Sequence, residues 1–369
     1  MFSDQIYLRR CLVLAKTAIA KTAPNPMVGS VIVQQNQVVG EGFHPQAGQP
    51  HAEIFALRQA GEEARGATLY VNLEPCNHQG RTPPCTEAII QAGIKTVVVG
   101  MVDPNPLVAG KGIDRLRQAG ITVRVGIEEK ACQQLNEAFC FRIKHQRPFG
   151  ILKYAMTLDG KIATDQGHSA WITSPIARGW VHQLRSEGQA VIVGGNTVRR
   201  DNPQLTSHGV RNHNPLRVVL SRSLDLPLQA QLWDQQEAKT LVITEKNCDP
   251  QIHLQLEKMG VEVLVFAKLT PIAVMNELYK RDCLQVLWEC GGMLAAPAIA
   301  QGCVQKIHGF IAPKIIGGTH APSPIGNLGL TQMTEALRLE NMQCQAIGPD
   351  WLFTGYLGGD DDDSDRNNI

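Results

Sequence analysis

Between His51 and Cys85 the chain carries three side chains suited to binding one divalent metal, and bringing them together constrains the fold more than any other feature. The stretch begins His51-Ala52-Glu53 and ends Glu74-Pro75-Cys76-Asn77-His78-Gln79-Gly80-Arg81-Thr82-Pro83-Pro84-Cys85. One imidazole and two thiolates suit a tetrahedral Zn²⁺ with a fourth position left for water, and sites with three protein ligands are typically catalytic. A fourth protein ligand would instead close the site into a structural one, and His44 and His78 are the candidates for that role. Glu53 argues against closure, because a structural zinc has no use for a carboxylate at that spacing.

The surrounding pattern alternates strands and helices. Apolar residues at helical spacing predict a helix over residues 4–20, with Ser3 or Asp4 as a possible cap. The turn Ala23-Pro24-Asn25-Pro26-Met27-Val28-Gly29 must stop it. Residues 28–33 and 38–42 read as a hairpin turning at Asn36. Residues 51–60 read as a helix with His51 in its first turn and Glu53 close beside it. A strand over 68–73 follows, then a short helix over 86–92 with Cys85 at its start. Further elements are expected at 96–102, 112–119, 121–125 and 129–143, the last as one helix. This rhythm predicts a central sheet covered by helices, an α/β fold.

At 369 residues two domains are the first expectation. The polar stretch Lys144-His145-Gln146-Arg147-Pro148 is the natural linker, giving domains over 1–146 and 147–358. In the second, strands are expected at 149–156, 190–193, 216–220, 240–244, 261–266, 284–290, 304–315 and 351–356, with helices at 175–186, 271–281 and 293–301. Residues 207–214 read as a surface loop. Residues 359–369 include Asp360, Asp361, Asp362, Asp363 and Asp365, a like-charge run expected to be disordered.

A histidine followed two residues later by a glutamate, with a Pro-Cys further on, matches the zinc-deaminase pattern. There the Glu shuttles protons and is not a ligand. That pattern usually closes as C-x-x-C, whereas eight residues separate Cys76 from Cys85. Glu53 could take the proton of a water activated by the metal, then deliver it to a ring nitrogen and the leaving ammonia. A nucleic-acid base deaminase is the alternative within this chemistry. It calls for a basic face and stacked aromatics, against a net charge of +1 and 5% aromatics. A zinc-stabilised binding module without turnover is the alternative outside it. No apolar run reaches membrane-spanning length, and ten scattered cysteines do not resemble a disulfide framework. A reducing cytoplasm is the expected home.

Asn25-Pro26-x-Val28-Gly29, His51-Ala52-Glu53 and the Glu74 to Cys85 stretch together resemble the deaminase half of the bifunctional riboflavin-biosynthesis deaminase–reductases. In that family the long gap between the cysteines is normal. The resemblance implies His51, Cys76 and Cys85 as ligands of one zinc ion and Glu53 as acid/base. It also implies that Asn25, Asn77, His78, Arg81 and Thr82 face a pyrimidine carrying a ribose phosphate. Asn25 read alone is equally a turn residue, and Arg81 equally a solvated surface residue.

Residues 149–356 say less by themselves. Gly291-Gly292 lies between a strand and a helix, and could place a phosphate on backbone N–H groups or be an ordinary tight turn. No G-x-G-x-x-G follows a strand, which disfavours a Rossmann site. Lys153 and Glu289 stand out as charges inside apolar strands, explicable by function or by a buried ion pair; Asp159, Arg185 and Asp201 also stand out. Lys153-x-Ala155-x-x-Leu158-Asp159-Gly160, Trp171-Ile172-Thr173-Ser174, Asp201-Asn202-Pro203-x-Leu205-Thr206 and Glu289-x-Gly291-Gly292 resemble the reductase half of the same family. That half is similar in fold to dihydrofolate reductase and uses NADPH to reduce a ribose to a ribityl chain.

The resemblance implies a catalytic Lys153. It implies cofactor contacts from Ala155, Trp171, Thr197, Asp201, Gly291, Gly292, Met293, Leu294, Ala295, Ala296 and Pro297, and substrate contacts from Ser169, Arg185, Leu205, His208 and Glu289. Ser207-His208 stands where a basic residue is expected, so phosphate recognition there is weaker or borrowed from Arg211. Cys290 and Met293 also depart from the usual residues around the glycines. A homo-oligomer acting on a small molecule, with no nucleic acid or membrane partner, completes the expectation.

Overall fold

The computed structural model describes residues 2–78, 84–106 and 108–358. The expectations for Arg81, Thr82 and the acidic run at 359–369 lie outside the described residues. The chain divides into two compact units, Met1–Arg147 and Pro148–Ile369.

The first unit runs α1 (Phe2–Lys16), β1 (Gly29–Gln34), β2 (Gln37–Phe43), α2 (Ala52–Ala60), β3 (Thr68–Leu73), α3 (Cys85–Gln91), β4 (Thr96–Met101), α4 (Lys111–Gln118), β5 (Thr122–Val125), α5 (Glu129–Leu135) and α6 (Glu137–His145). Among the described residues its sheet has five strands in the order β2-β1-β3-β4-β5. β1 is antiparallel to β2 and β3, while β3, β4 and β5 run parallel. Gln35 and Asn36 both take positive φ, the two-residue turn whose twist matches that of the flanking strands. On one face Ile32, Leu69, Val71, Val97 and Val99 pack with Ala52, Ala56 and Ala60 of α2. On the other, Leu8 and Cys11 of α1 cover Val31, Val33, Tyr70 and Val98.

Polar clamps fix the turn before β1. The single helix expected over 129–143 is two, broken at Asn136, which is buried. Its side chain accepts from Met27 N–H (2.8 Å) and donates to Met27 C=O (3.0 Å). Asn72 of β3 does the same one step along, accepting from Gly29 N–H and donating to Met27 C=O. These bonds answer backbone groups that no strand satisfies. Two expectations for α1 are corrected. It ends at Lys16 rather than 20, and Asp4 does not cap it. Asp4 instead accepts from Arg124 (2.6 Å) and from the Tyr70 hydroxyl (2.9 Å).

The second unit runs β6 (Phe149–Thr157), α7 (Pro175–Glu187), β7 (Ala190–Gly194), α8 (Gly195–Asp201), β8 (Leu216–Leu220), β9 (Thr240–Glu245), α9 (Pro250–Lys258), β10 (Glu262–Phe266), α10 (Pro271–Lys280), β11 (Gln285–Trp288), α11 (Gly292–Ala300), β12 (Lys306–Ala312), β13 (Leu339–Ile347) and β14 (Asp350–Leu357). Its sheet follows the order β10-β9-β8-β7-β11-β6-β12-β14-β13. The strands from β10 to β12 are parallel and β14 and β13 antiparallel to their neighbours. Trp288, Ile192, Leu152 and Val218 lie at its centre. Three elements are absent from the sequence expectation. β13 is exposed over most of its length and carries no buried stripe to betray it. α8 is a seven-residue helix between glycines and Asp201. α9 begins at Asp249-Pro250, whose carboxylate caps Gln251 and Ile252.

The first turn of α2 lies directly against Gly42 of β2. A Cβ there would lie 2.4 Å from Ala52 C=O and 2.5 Å from Phe55 Cβ. Gly42→Ala is therefore expected to push the first turn of α2 off the sheet and cost about 3 kcal/mol. Denaturant unfolding followed in the first unit checks it, and an unchanged midpoint would refute it.

Candidate active sites

His51 is the residue before α2, in extended conformation (φ −75°, ψ 165°). It stands outside the first turn expected for it and still brings its ring to the helix start. Cys76 follows β3 after Glu74-Pro75, and Cys85 is the first residue of α3. Their Sγ atoms lie 3.4 and 3.3 Å from His51 Nδ1. All three ligand atoms fall within 4.8 Å of one another, which among the described residues marks them as a group able to hold a metal. A zinc tetrahedron with ordinary Zn–N and Zn–S bonds has an N···S edge of about 3.6 Å. The donor set and its spacing therefore fit zinc.

Glu53 is nearly fully buried, and its Oε2 has no hydrogen-bond partner among the described residues. Burial, then the neighbouring Cys76, pushes its carboxyl up to about 7, with His51 pulling the other way. Of the two thiols, Cys76 gives up its proton first because Cys85 donates to it and His51 lies beside it. That same bond holds the Cys85 proton in place. A buried carboxylate oxygen left unpaired is costly, which makes this atom an anomaly unless a water or substrate group meets it.

Neither histidine proposed as a fourth ligand joins the group. His44 is buried, with Nδ1 against the Pro50 carbonyl (3.1 Å) and Nε2 against Asn25 Nδ2 (3.1 Å). The carbonyl requires N–H at Nδ1, so Nε2 accepts and the Asn25 amide is oriented by it. Asn25 thus stands in a built position near His51, whose ring meets His44 edge-on. Asn77 accepts from the Thr86 hydroxyl (2.9 Å). His44, Thr86, Asn72 and Asn136 were not singled out for these roles from sequence. A polar residue inside the apolar strand Tyr70-Val71-Asn72-Leu73 is the one signal that would have marked Asn72.

In the second unit Lys153, Arg185 and Glu289 converge from β6, α7 and the end of β11. Arg185 donates to both Glu289 oxygens (2.5 and 2.9 Å), and Lys153 Nζ lies 3.8 Å from Oε2. Burial pushes the Glu289 carboxyl up, but Arg185 and Lys153 outweigh it and hold it below the usual carboxylate range. Burial lowers the Lys153 ammonium, with Glu289 opposing. Two cations share one carboxylate, so the cluster keeps a surplus positive charge. Arg185 also donates to Thr206 C=O (3.3 Å), tying down the loop that holds Leu205 and His208, both at positive φ. The His208 ring stacks on His182 at 4.1 Å. Arg211 lies 3.9 Å from Glu187.

Ser169 donates to Asp201 (3.0 Å) at the end of α8, the helix that carries Thr197. Ala155 lies in β6. Gly291 precedes α11, whose first turn no side chain caps. Met293 and Trp171 are exposed and Leu294 half-buried. Ala295, Ala296 and Leu205 are buried. An uncapped helix start beside an exposed apolar side chain fits the phosphates and flat ring of a nicotinamide cofactor.

Residues 148–353 match the family described as RibD C-terminal domain, and residues 1–101 the cytidine and deoxycytidylate deaminase zinc-binding region. Over 367 residues the chain is 76% identical to the riboflavin biosynthesis protein RibD of Synechocystis sp., covering all of both chains. Among solved structures, Acinetobacter baumannii RibD is similar at 39% identity and TM-score 0.87, over 97% of this chain and 99% of that one. A diaminohydroxyphosphoribosylaminopyrimidine deaminase/5-amino-6-(5-phosphoribosylamino)uracil reductase from Thermotoga maritima is similar at 36% identity and TM-score 0.85, with the same coverage.

Cys85→Ala removes one corner of the trio. Bound zinc, measured by mass spectrometry of the purified protein, is expected to fall from about one equivalent per chain to near none. Retention of zinc in this variant would place the ion elsewhere.

Proposed function

The chain belongs to the RibD family of bifunctional riboflavin-biosynthesis enzymes, and on that premise we propose how its two sites divide the work. Its first unit is a zinc-binding deaminase domain of the cytidine deaminase type, and its second a reductase domain with a dihydrofolate-reductase-like fold. The first site deaminates 2,5-diamino-6-(5-phosphoribosylamino)pyrimidin-4-one. The second reduces the ribose of the product to a ribityl chain. The observation that carries the reading is the unpaired Glu53 Oε2, buried beside three ligands at zinc spacing.

His51, Cys76 and Cys85 would hold the zinc ion, which when bound would supply the Lewis acidity that makes water nucleophilic near neutral pH. Glu53 takes one proton from the attacking water at Oε2 and passes it to the pyrimidine ring nitrogen. As the C–O bond forms, Glu53 takes the remaining proton from the new hydroxyl and gives it to the departing amine, so that the C–N bond breaks and ammonia leaves. Asn25, held by His44, and Asn77, held by Thr86, orient the substrate, with His78, Arg81 and Thr82 completing its surroundings.

For the second site we take the cofactor to be NADPH, which supplies the hydride. Lys153 donates the proton to the ring oxygen as the ribose opens, and the lowered proton affinity that burial gives it suits that role. Glu289 and Arg185 hold Lys153 in place and, with Ser169, Leu205 and His208, line the substrate side. Ala155, Trp171, Thr197, Asp201 and the start of α11 (Gly291, Gly292, Met293, Leu294, Ala295, Ala296 and Pro297) line the cofactor side. We further take the enzyme to be a cytoplasmic homo-oligomer. The exposed edge strand β13, with Met342 on it, supports that assembly. Gel filtration at monomer size would remove it. Among the described residues no helix is long and apolar enough to cross a membrane.

Glu53→Gln is expected to lower the deamination rate about 10²- to 10⁴-fold while zinc stays bound; ammonia release and metal content are the two measurements. Undiminished ammonia release would end the proton-shuttle role. Lys153→Ala is expected to slow NADPH oxidation about 10²-fold or more on the deaminated substrate, with ammonia release from the first substrate unaffected. Equal loss of both activities would contradict the separate assignment of the two sites.

A further inference from the structure

We propose that Glu74 is a positioning residue for the metal trio, acting by locking the first turn of α4 against the segment that carries Cys76. The proposal rests on the zinc reading of that trio. Glu74 is buried, and its two oxygens accept four backbone N–H groups from one stretch of chain. Oε2 accepts from Asp103 (3.2 Å) and Gly110 (3.0 Å), and Oε1 from Gly112 (2.9 Å) and Ile113 (3.2 Å). The N-cap residue of that helix is Gly110, which has no side chain to cap it. A carboxylate from another element thus does the capping, with charge-assisted bonds and a favourable place in the helix dipole.

The consequence for Cys76 follows from what rests on that turn. Gly112 lies so close under Pro75 that an added Cβ would come within 2.0 Å of the Pro75 carbonyl oxygen. Asn77 Nδ2 donates to Lys111 C=O (3.4 Å), and Thr86 N–H donates to Cys76 C=O (3.3 Å). Residues 75–77 are therefore seated between the start of α4 and the start of α3. Cys76 meets His51 only if both seats hold. Glu74 sets one of them, since its bonds fix where Gly110, Gly112 and Ile113 stand. A Gln at this position keeps one acceptor oxygen but turns an NH₂ towards two N–H donors, so half of the clamp becomes donor against donor.

Outer groups that orient metal ligands typically change affinity 10- to 100-fold when removed. The test uses the full-length, zinc-loaded protein and a chromophoric chelator in excess. Glu74→Gln and, from the other side of the seat, Gly112→Ala are each expected to release zinc about tenfold faster or more. The double variant is expected to be little worse than the faster single one, because both break the same seat. Hydrogen exchange of the β3 and β4 amides should stay at the wild-type rate, which separates loss of position from general loosening of the unit. Wild-type release rates in Glu74→Gln overturn the proposal. So does faster release that rises in step with β3 and β4 exchange. A wild-type chain that holds no zinc overturns the metal reading itself, and this inference with it.

Discussion

Gathering two sulfurs, an imidazole and a carboxylate in one buried place is unfavourable unless a cation answers them, and the first unit is built around that demand. The groups come from three different element ends: the residue before α2, the segment after β3, and the first residue of α3. Each end is held by something other than the metal ligands. The alanine face of α2 lies flat on the sheet, which lets His51 and Glu53 reach the site from a helix in contact with Gly42. Thr86 and Asn77 pin the two cysteine segments to each other. The site is thus prepared by packing, and the ligands need not search for each other.

The second unit solves a related problem with opposite charge. Glu289 is surrounded by Arg185 and Lys153, and its ionised form is kept by them against the cost of burial. Arg185 is held bidentately, so it is the fixed member, and Lys153 at 3.8 Å is the looser one. That difference suits a division between a structural pair and a group free to change its proton. The same guanidinium reaches the Thr206 carbonyl and so sets the loop in which Leu205 and His208 take positive φ.

The parts legible in the sequence are those where periodicity and chemistry coincide. The hairpin at Asn36, the strand before Glu74 and the helix beginning at Cys85 were readable because apolar alternation ends at a residue with a distinct role. The spacing of His51, Glu53 and Cys76 announced the site. What stayed hidden depends on long-range partners. The break at Asn136 has no local cause: the helix stops because that side chain bonds a backbone 109 residues away. Asp4 looked like a cap because the groups that claim it, Tyr70 and Arg124, are distant in sequence. Strand β13 could not be seen by burial because it is hardly buried. In the reductase unit, resemblance named residues such as Ala295 and Leu205 whose buried side chains no chemical argument would have selected.

The clamps on the two ends of the first unit also bear on how the chain is made. Asp4 waits for Arg124, and the Met27 N–H for Asn136, so the clamps of the finished unit are complete only once residue 136 is available. Synthesis proceeds from the N-terminus at roughly 5–20 residues per second, and domains generally fold as units. The nascent chain therefore carries His51, Cys76 and Cys85 as unpaired thiols and imidazole for several seconds before their scaffold closes. During that interval the ligands can meet metal or oxidant without the protection of the finished fold. The order of elements along the chain thus sets a window of chemical exposure that the completed structure no longer shows.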